Sequence, residues 1–571
     1  MGGSLSRTAA ATVVALSLLA SCAAPTAFAD SDPTVTTFVV VLDGLEPDLV
    51  MPEFTPTLRA LMRGDDANTT TYTNASASMV TETNANHVGI TTGMPGQVHG
   101  LVSNSFYDRS ARAIRGTDRP ALVLADTLFD AIEGQKPWLR SAAVLGKQKL
   151  RELFDCTREP DDPRAPCASS HDNPERRRVR HVRPDFLLGA ASDPRDVLAD
   201  PHGNAPAEPA SGSAITLDRA VTDQLIRLQR MQEPDVTLVN LAQIDGIQHL
   251  FGSKSPQALV AVRDADAQLA RFVESLKRAG RWEHSILVLT ADHSFLDLDG
   301  TGDTVGADHA RVHNAATGHA TGSRVILSER FTHPGIEALV AHGGSASIYL
   351  RHPDDRELAA NLAREAREMT DALGRRAVAG AFCRLVTSDC PPIPGHYGLD
   401  TARIGEVLLV ADDQHLFLRR RTEDSAAITG DHGGPTAAAV PLVIASGGAY
   451  VRTHTVHRPV STRDIAPTVA WIHEITGVAG QPFPGESRWS RRLEEAFSEH
   501  PIAAHRQPTP SSPSGRSGSA PTATQPPPDA PPFAPTPASG ARREPVPSTG
   551  GRTPVVAFGL LALVAAILRR R

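Results

Sequence analysis

Between Val236 and Thr290 the sequence reads strand, helix, strand, and that unit restricts the fold more than any other stretch. Val236 to Ile244 is a mostly apolar strand. Ser255-Pro256 then opens a helix, with serine as N-cap and proline at the first helical position, where its missing N–H costs nothing. Leu259, Val262, Leu269, Phe272 and Leu276 give the helix one apolar face, and Gly280 stops it. Ser285 to Thr290 is the second strand. Buried strands joined through a helix run parallel, and a parallel sheet is covered by helices on both faces. The predicted class is therefore α/β, with a mixed, mostly parallel central sheet. Ligands of such sheets sit at the carboxyl ends of the strands.

Metal-ligand residues stand at those ends four times. Thr36 to Leu42 runs into Asp43-Gly44, and the Val236 strand runs into Asp245-Gly-Ile-Gln-His249. The Ser285 strand ends in Asp292-His293, and Asp431-His432-Gly433-Gly434 leads into the apolar run Val440 to Ile444. Any one of these is commonplace, since aspartate at a strand end usually caps a turn. Four in order, each beside a strand-like run, point to a metal centre. Carboxylates mixed with imidazoles suit zinc or a similar divalent ion better than calcium, which takes oxygens alone.

Between the first two pieces lies Thr81-Glu-Thr83-Asn-Ala-Asn-His87, followed by Thr92-Gly93, Pro95, His99-Gly100 and Asn104. This run resembles the nucleophile segment of type I phosphodiesterases and nucleotide pyrophosphatases, members of the alkaline phosphatase superfamily. The family's proline two residues after the nucleophile is Ala85 here. Ser461-Thr-Arg-Asp464-Ile-Ala-Pro-Thr is similar to the family's final helix, so the resemblance covers most of residues 36 to 480. It implies an alkaline-phosphatase-like fold, Thr83 as nucleophile, a covalent phosphothreonine intermediate, and Asn104 as the residue that holds a phosphoryl oxygen. It also implies two divalent metal ions, zinc in the first instance. Asp43, Thr83, Asp292 and His293 would hold one, and Asp245, His249 and His432 the other. His249 lies four residues after Asp245, one helical turn on, so both can face one ion. His99 reads as structural, His87 as a packing or outer partner, and Asp431 as an orienter of the adjacent His432 imidazole.

Only five of the 57 basic side chains are lysine, and two of them fall in Lys147-Gln-Lys149. Lysine is a compact point charge suited to phosphate or carboxylate. The pair reads either as a solvated strand end or as a substrate-binding anion site, and it is similar to the Lys-x-Lys stretch of phosphonoacetate hydrolases in the same superfamily. A phosphoester hydrolase is the first reading and cleavage of a small phosphonate the alternative. A surface binding module on a dead hydrolase scaffold would need a lost ligand, and every ligand position is filled.

Composition bears on location and partners. The net charge of −7 gives no basic footprint for nucleic acid, so the expected partner is a small phosphorylated substrate. Residues 1–29 read as an export signal: Arg7, an apolar stretch, then Ala27-Phe28-Ala29. Leu19-Ala20-Ser21-Cys22 offers a lipoprotein alternative. Cys156 with Cys167 and Cys383 with Cys390 form two close pairs, which predicts two local disulfides in an exported chain. The catalytic domain is predicted over residues 34–500, and residues 507–545 are a Pro/Ser/Thr-rich spacer. Residues 546–571 hold Val546-Pro-Ser-Thr-Gly550, the apolar run Val555 to Leu568 and three arginines. That order resembles a sortase cell-wall sorting signal. As a helix the apolar run spans about 21 Å, short of the roughly 30 Å hydrocarbon core, and a tail anchor is the other reading.

Overall fold

A computed structural model of the chain describes residues 35–155, 183–189, 217–297, 325–327, 331–370, 375–412, 415–418, 430–476 and 488–502. All of them fall in the unit Met1–Gln507. The leader, Cys156 and Cys167, the spacer and the C-terminal run lie outside the described residues. Among the described residues no helix is long and apolar enough to cross a membrane.

The central sheet is built on β1 (Thr36–Leu42), whose seven residues are all buried. Around it lie β2 (Asn68–Ser76), β3 (Ser141–Leu145), β4 (Phe186–Leu188), β5 (Val236–Leu241) and β6 (Ser285–Thr290). A second, antiparallel sheet comprises β7 (Ile336–Ala341), β8 (Ser345–Leu350), β9 (Val378–Cys383) and β10 (Val407–Ala411), in the order β7-β8-β10-β9. The chain then returns to the central sheet with β11 (Ala439–Ser446) and β12 (His454–Val456). The central order is β12-β2-β11-β6-β1-β5-β3-β4, with Val460–Ser461 also paired to β2. Every pairing among β6, β1, β5, β3 and β4 is parallel, as is β12 on β2; β11 alone runs against its neighbours. The sheet is mixed and mostly parallel, as the sequence predicts.

Side chains of β1 alternate between two helical layers. Phe38 meets Phe272 edge-on, ring centroids 4.9 Å apart, and Phe272 belongs to the long helix of the strand–helix–strand unit, Pro256–Arg278. Its neighbour Thr37 points to the other face, where its hydroxyl is 2.9 Å from His473 Nε2, just past the helix Ile465–Ile472. The predicted N-cap is present: Ser255 Oγ accepts from Ala258 N–H at 3.1 Å, and Pro256 is the first helical residue. The predicted strand from Val236 is too long. It ends at Leu241, and the chain turns at once into the helix Gln243–Phe251, which carries Asp245 in its first turn and His249 in its last.

Parallel register brings the strand ends to one edge. Leu42 pairs with Leu241 and Val41 with Thr290, so Asp43 and Asp292 emerge side by side. The antiparallel β11 starts at that same edge, which delivers His432 to it from the other chain direction. The turn His342-Gly343-Gly344 between β7 and β8 packs on the His432 loop, with Gly344 N–H donating to His432 O at 2.7 Å. Gly433 has φ +91°, and a Cβ there would stand 1.6 Å from His342 O, so only glycine fits. Cys383 and Cys390 form one of the two predicted disulfides.

Candidate active site

Thr83 is the first residue of a fully buried helix, Thr83–Thr92. Its hydroxyl accepts from Lys147 Nζ at 2.9 Å and lies 3.4 Å from His293 Nε2. The position at a helix N-terminus, at the positive end of the helix dipole, favours an anion beside that hydroxyl.

Asp43 is held from two sides. Lys147 Nζ donates to its Oδ1 and Asn240 Nδ2 to its Oδ2, each at 2.8 Å. Lys147 also reaches Asp245 Oδ2 at 2.7 Å, so one buried ammonium ties the nucleophile to two carboxylates. Burial opposes that charge, yet Asp245, Asp43 and Asp292 raise the lysine pKa above its ordinary value. Asp245 is buried as well, and Lys147 and His249 hold its carboxyl well below the usual range.

The histidines are oriented by main-chain carbonyls. His293 Nδ1 donates to Ser294 O at 3.0 Å and His432 Nδ1 to Thr81 O at 2.8 Å, which leaves Nε2 of each as the bare nitrogen. The two rings stack, centroids 3.8 Å apart. Burial, then His293 and His249, press the His432 pKa down and keep that imidazole neutral. Asp245 Oδ1 faces three Nε2 atoms, 3.3 Å from His249, 3.5 Å from His432 and 3.8 Å from His293, without a hydrogen bond of its own. Asp292 Oδ2 is a second buried oxygen without one. Buried acceptors that face bare imidazole nitrogens fit a cation cage, so these residues suit a divalent metal.

All seven predicted ligands form one cluster. Asp43, Asp292 and His293 offer ligand atoms within 4.8 Å of one another, and so do Asp245, His293 and His432. A third such group is His249, Asp431 and His432. Here one expectation needs correcting: Asp431 does not orient the His432 ring, a task that falls to Thr81 O. Its side chain stands 3.7 Å from His249 Nδ1. Asp431 Oδ1 accepts instead from the main-chain N–H of His432 at 2.9 Å and stays 4.0 Å from the ring's Nε2.

Lys147 is no solvated strand end: it is buried in the cluster. Lys149 is half-buried at the start of the helix Gln148–Phe154, within electrostatic reach of Glu82, and burial and Lys147 lower its pKa. Asn104 Oδ1 accepts from Asn84 N–H at 2.9 Å, which fixes its NH2 as the end free to donate to a ligand. His99 is buried, pushed down to about 3 by burial, and accepts from Leu101 N–H at 3.2 Å. His87 is an outer partner. Its Nε2 accepts from Asn240 Nδ2 at 3.2 Å, and its Nδ1 donates to Thr83 O at 2.9 Å beside Asp292 Oδ2 at 3.4 Å.

Asn240, Thr81 and Glu82 escaped the sequence reading. Glu82 left one usable trace, a carboxylate inside an otherwise uncharged buried segment next to the nucleophile. Burial raises it to about 7, against the opposing N–H of Asn104.

The fold and site together define a class: an α/β enzyme scaffold of the alkaline phosphatase type, with an Asp/His cluster at the carboxyl edge of its sheet. The structure aligns with that of inactive murine ectonucleotide pyrophosphatase/phosphodiesterase 5 in complex with AMP at a TM-score of 0.54 and 16% identity, over 81% of this chain and 100% of that one. The sequence profile of the family "Type I phosphodiesterase / nucleotide pyrophosphatase" matches residues 37–435, and the chain belongs to that family. An uncharacterized pyrophosphatase/phosphodiesterase of Schizosaccharomyces pombe is 23% identical over 266 residues, 45% of this chain and 44% of that protein. Ectonucleotide pyrophosphatase/phosphodiesterase 2 of Saccharomyces cerevisiae is 20% identical over 427 residues, 70% of this chain and 73% of that protein. The chain thus spans under half of the first relative and about three quarters of the second.

Proposed function

We propose that the chain is an exported hydrolase of phosphate esters, of the phosphodiester or nucleotide type, with Thr83 as its nucleophile. The observation that carries this is the Thr83 hydroxyl, at a helix N-terminus and against the Asp/His cluster. Asp43, Asp292, His293 and Thr83 would hold one divalent ion, and Asp245, His249 and His432 a second; zinc suits the donors. Bound there, two cations supply charge stabilisation for both the attacking and the leaving oxygens of an in-line displacement. Thr83 Oγ1, its proton given up to water, bonds to phosphorus as the P–O bond to the leaving alkoxide breaks; the alkoxide takes a proton from water, and a second water then hydrolyses the phosphothreonine. The free NH2 of Asn104 donates to an equatorial oxygen as its charge grows. A panel of phosphomonoesters, phosphodiesters, nucleotides and phosphonates, run with zinc and with manganese, tests the reading. Absence of ester hydrolysis across the panel would overturn it.

The place of Lys147 beside the nucleophile favours a second reading, cleavage of a small phosphonate whose carboxylate meets the lysines. Lys149 separates the two readings, since Lys147 is tied to the ligands themselves. For a phosphonate enzyme, Lys149→Ala should cut phosphonoacetate turnover by roughly tenfold or more, the scale of one charged hydrogen bond. For an ester hydrolase, bis(p-nitrophenyl) phosphate turnover should stay within about twofold, as for a charge that touches no reacting group. No phosphonate turnover by the unmodified enzyme removes this reading.

The domain limits and location belong to the same proposal: a leader removed from residues 1–29, a catalytic domain over 34–500, a spacer over 507–545 and a sorting signal over 546–571. Every proposed site residue precedes Val440. Deleting residues 546–571 should therefore release active enzyme into the medium. Mass spectrometry of surface-bound protein should find Thr549 as the last residue; an intact Arg571 would leave a membrane tail anchor instead.

A further inference from the structure

Asn104 sits in a closed ring of hydrogen bonds, and both neighbours of Thr83 take part in it. Glu82 Oε2 accepts from Asn104 N–H at 2.6 Å, and Asn84 N–H donates to Asn104 Oδ1 at 2.9 Å. Thr117 N–H donates to Asn104 O at 3.0 Å, and Thr117 Oγ1 accepts from Asn84 Nδ2 at 3.2 Å. Glu82 occupies the N-cap position of the helix Thr83–Thr92, yet its side chain makes no capping bond to that helix. N-cap side chains ordinarily accept from the helix's own first N–H groups. Here the carboxylate reaches twenty-two positions along the chain instead, to hold one amide. The residue is buried, so the bond is shielded from water and strong for its kind.

We propose that Glu82 is a positioning residue that acts through Asn104. Together with the Asn84 main chain it works as a gauge, fixing the distance between the nucleophilic hydroxyl and the amide that receives the phosphoryl oxygen. Both grips sit on residues adjacent to Thr83, so any shift of the nucleophile carries Asn104 with it. An error of about 1 Å in such a pair costs on the order of a hundredfold in rate. The inference rests on the reading of Asn104 as the phosphoryl contact, and its test separates the two.

The test is a double-mutant cycle on the full, zinc-loaded chain, with bis(p-nitrophenyl) phosphate as substrate. Glu82→Ala should lower kcat by roughly 10–100-fold with KM little changed. Glu82→Gln keeps an acceptor oxygen and should restore kcat to within about threefold, the range of one weakened hydrogen bond. In an Asn104→Ala background, Glu82→Ala should add less than about twofold, as expected when one residue acts only through the other. Losses that multiply in the double variant, or an unchanged kcat in Glu82→Ala, overturn the proposal. A wild-type rate in Asn104→Ala alone removes the role of Asn104 instead. Metal content and melting temperature are followed throughout, and a Glu82→Ala whose metal content falls also counts against the proposal. Should that variant fail to fold, Glu82→Met keeps the volume, removes the acceptor and takes its place in the cycle.

Discussion

Thr83→Ala should abolish turnover, by at least about a thousandfold on the scale of other lost nucleophiles, while the protein should stay folded and retain most of whatever metal it binds. The change removes the hydroxyl and one buried methyl group. Alanine is a better helix former than threonine, and the first helical position needs no side-chain acceptor of its own. Lys147 keeps Asp43 and Asp245 as partners after the change, so no buried charge is stranded. Stability should therefore move by no more than about 1 kcal/mol. Kinetics on a phosphodiester, a melting curve and metal analysis check the three statements. An acid-quenched wild-type reaction should also yield a phosphate adduct on the peptide carrying Thr83, and none from the variant. Residual turnover near a tenth of the wild-type rate would make water the attacking group.

The second large effect is expected at Asp245. Its carboxylate is paired with the Lys147 ammonium and faces three imidazole nitrogens, all within 3.8 Å. Asp245→Asn keeps the shape and removes the charge. Loss of an outer partner of a metal ligand costs 10–100-fold in affinity, and loss of the ligand's own charge should exceed that. The variant should bind one divalent ion tightly where two are expected in the wild type, and lose activity by more than about a hundredfold. Mass-spectrometric metal counts and zinc titration calorimetry decide it. Two tightly bound ions in the variant would remove Asp245 from the ligand set. Chelation of the wild type should abolish activity, and added zinc or manganese should bring it back.

Much of this was legible in the sequence, for identifiable reasons. From Phe38 to Leu42, β1 is an unbroken apolar run because it is buried on both faces. The helix Pro256–Arg278 announces its start by chemistry, serine then proline, and its orientation by periodicity. Asp43, Asp292 and His293 could be found because they follow such strands directly. The limit of β5 was misread because Ala242 and Ile244 prolong the apolar run, and apolarity alone cannot tell a last strand residue from a first helical one. The antiparallel sheet β7 to β10 was not foreseen at all, since its pairings join residues far apart in sequence. Asp431 was assigned to its neighbour His432, whereas the ring is held by Thr81 O, 351 positions away along the chain, which no local pattern reveals. Lys147 illustrates the remaining gap. Its rarity marked it as unusual, but only the fold shows it bridging Asp43, Asp245 and Thr83.

The contact between the His342 turn and Gly433 has a consequence for how the protein matures. The turn after β7 is seated on the His432 loop, and that seating leaves no clearance for even a methyl group. Tight cation uptake then becomes a chronometer of assembly. In a chain whose central sheet formed before the second sheet docked, the His432 loop would lack this support, and docking would tighten its hold on a cation. Zinc affinity, followed during refolding, would time the moment when the two sheets meet.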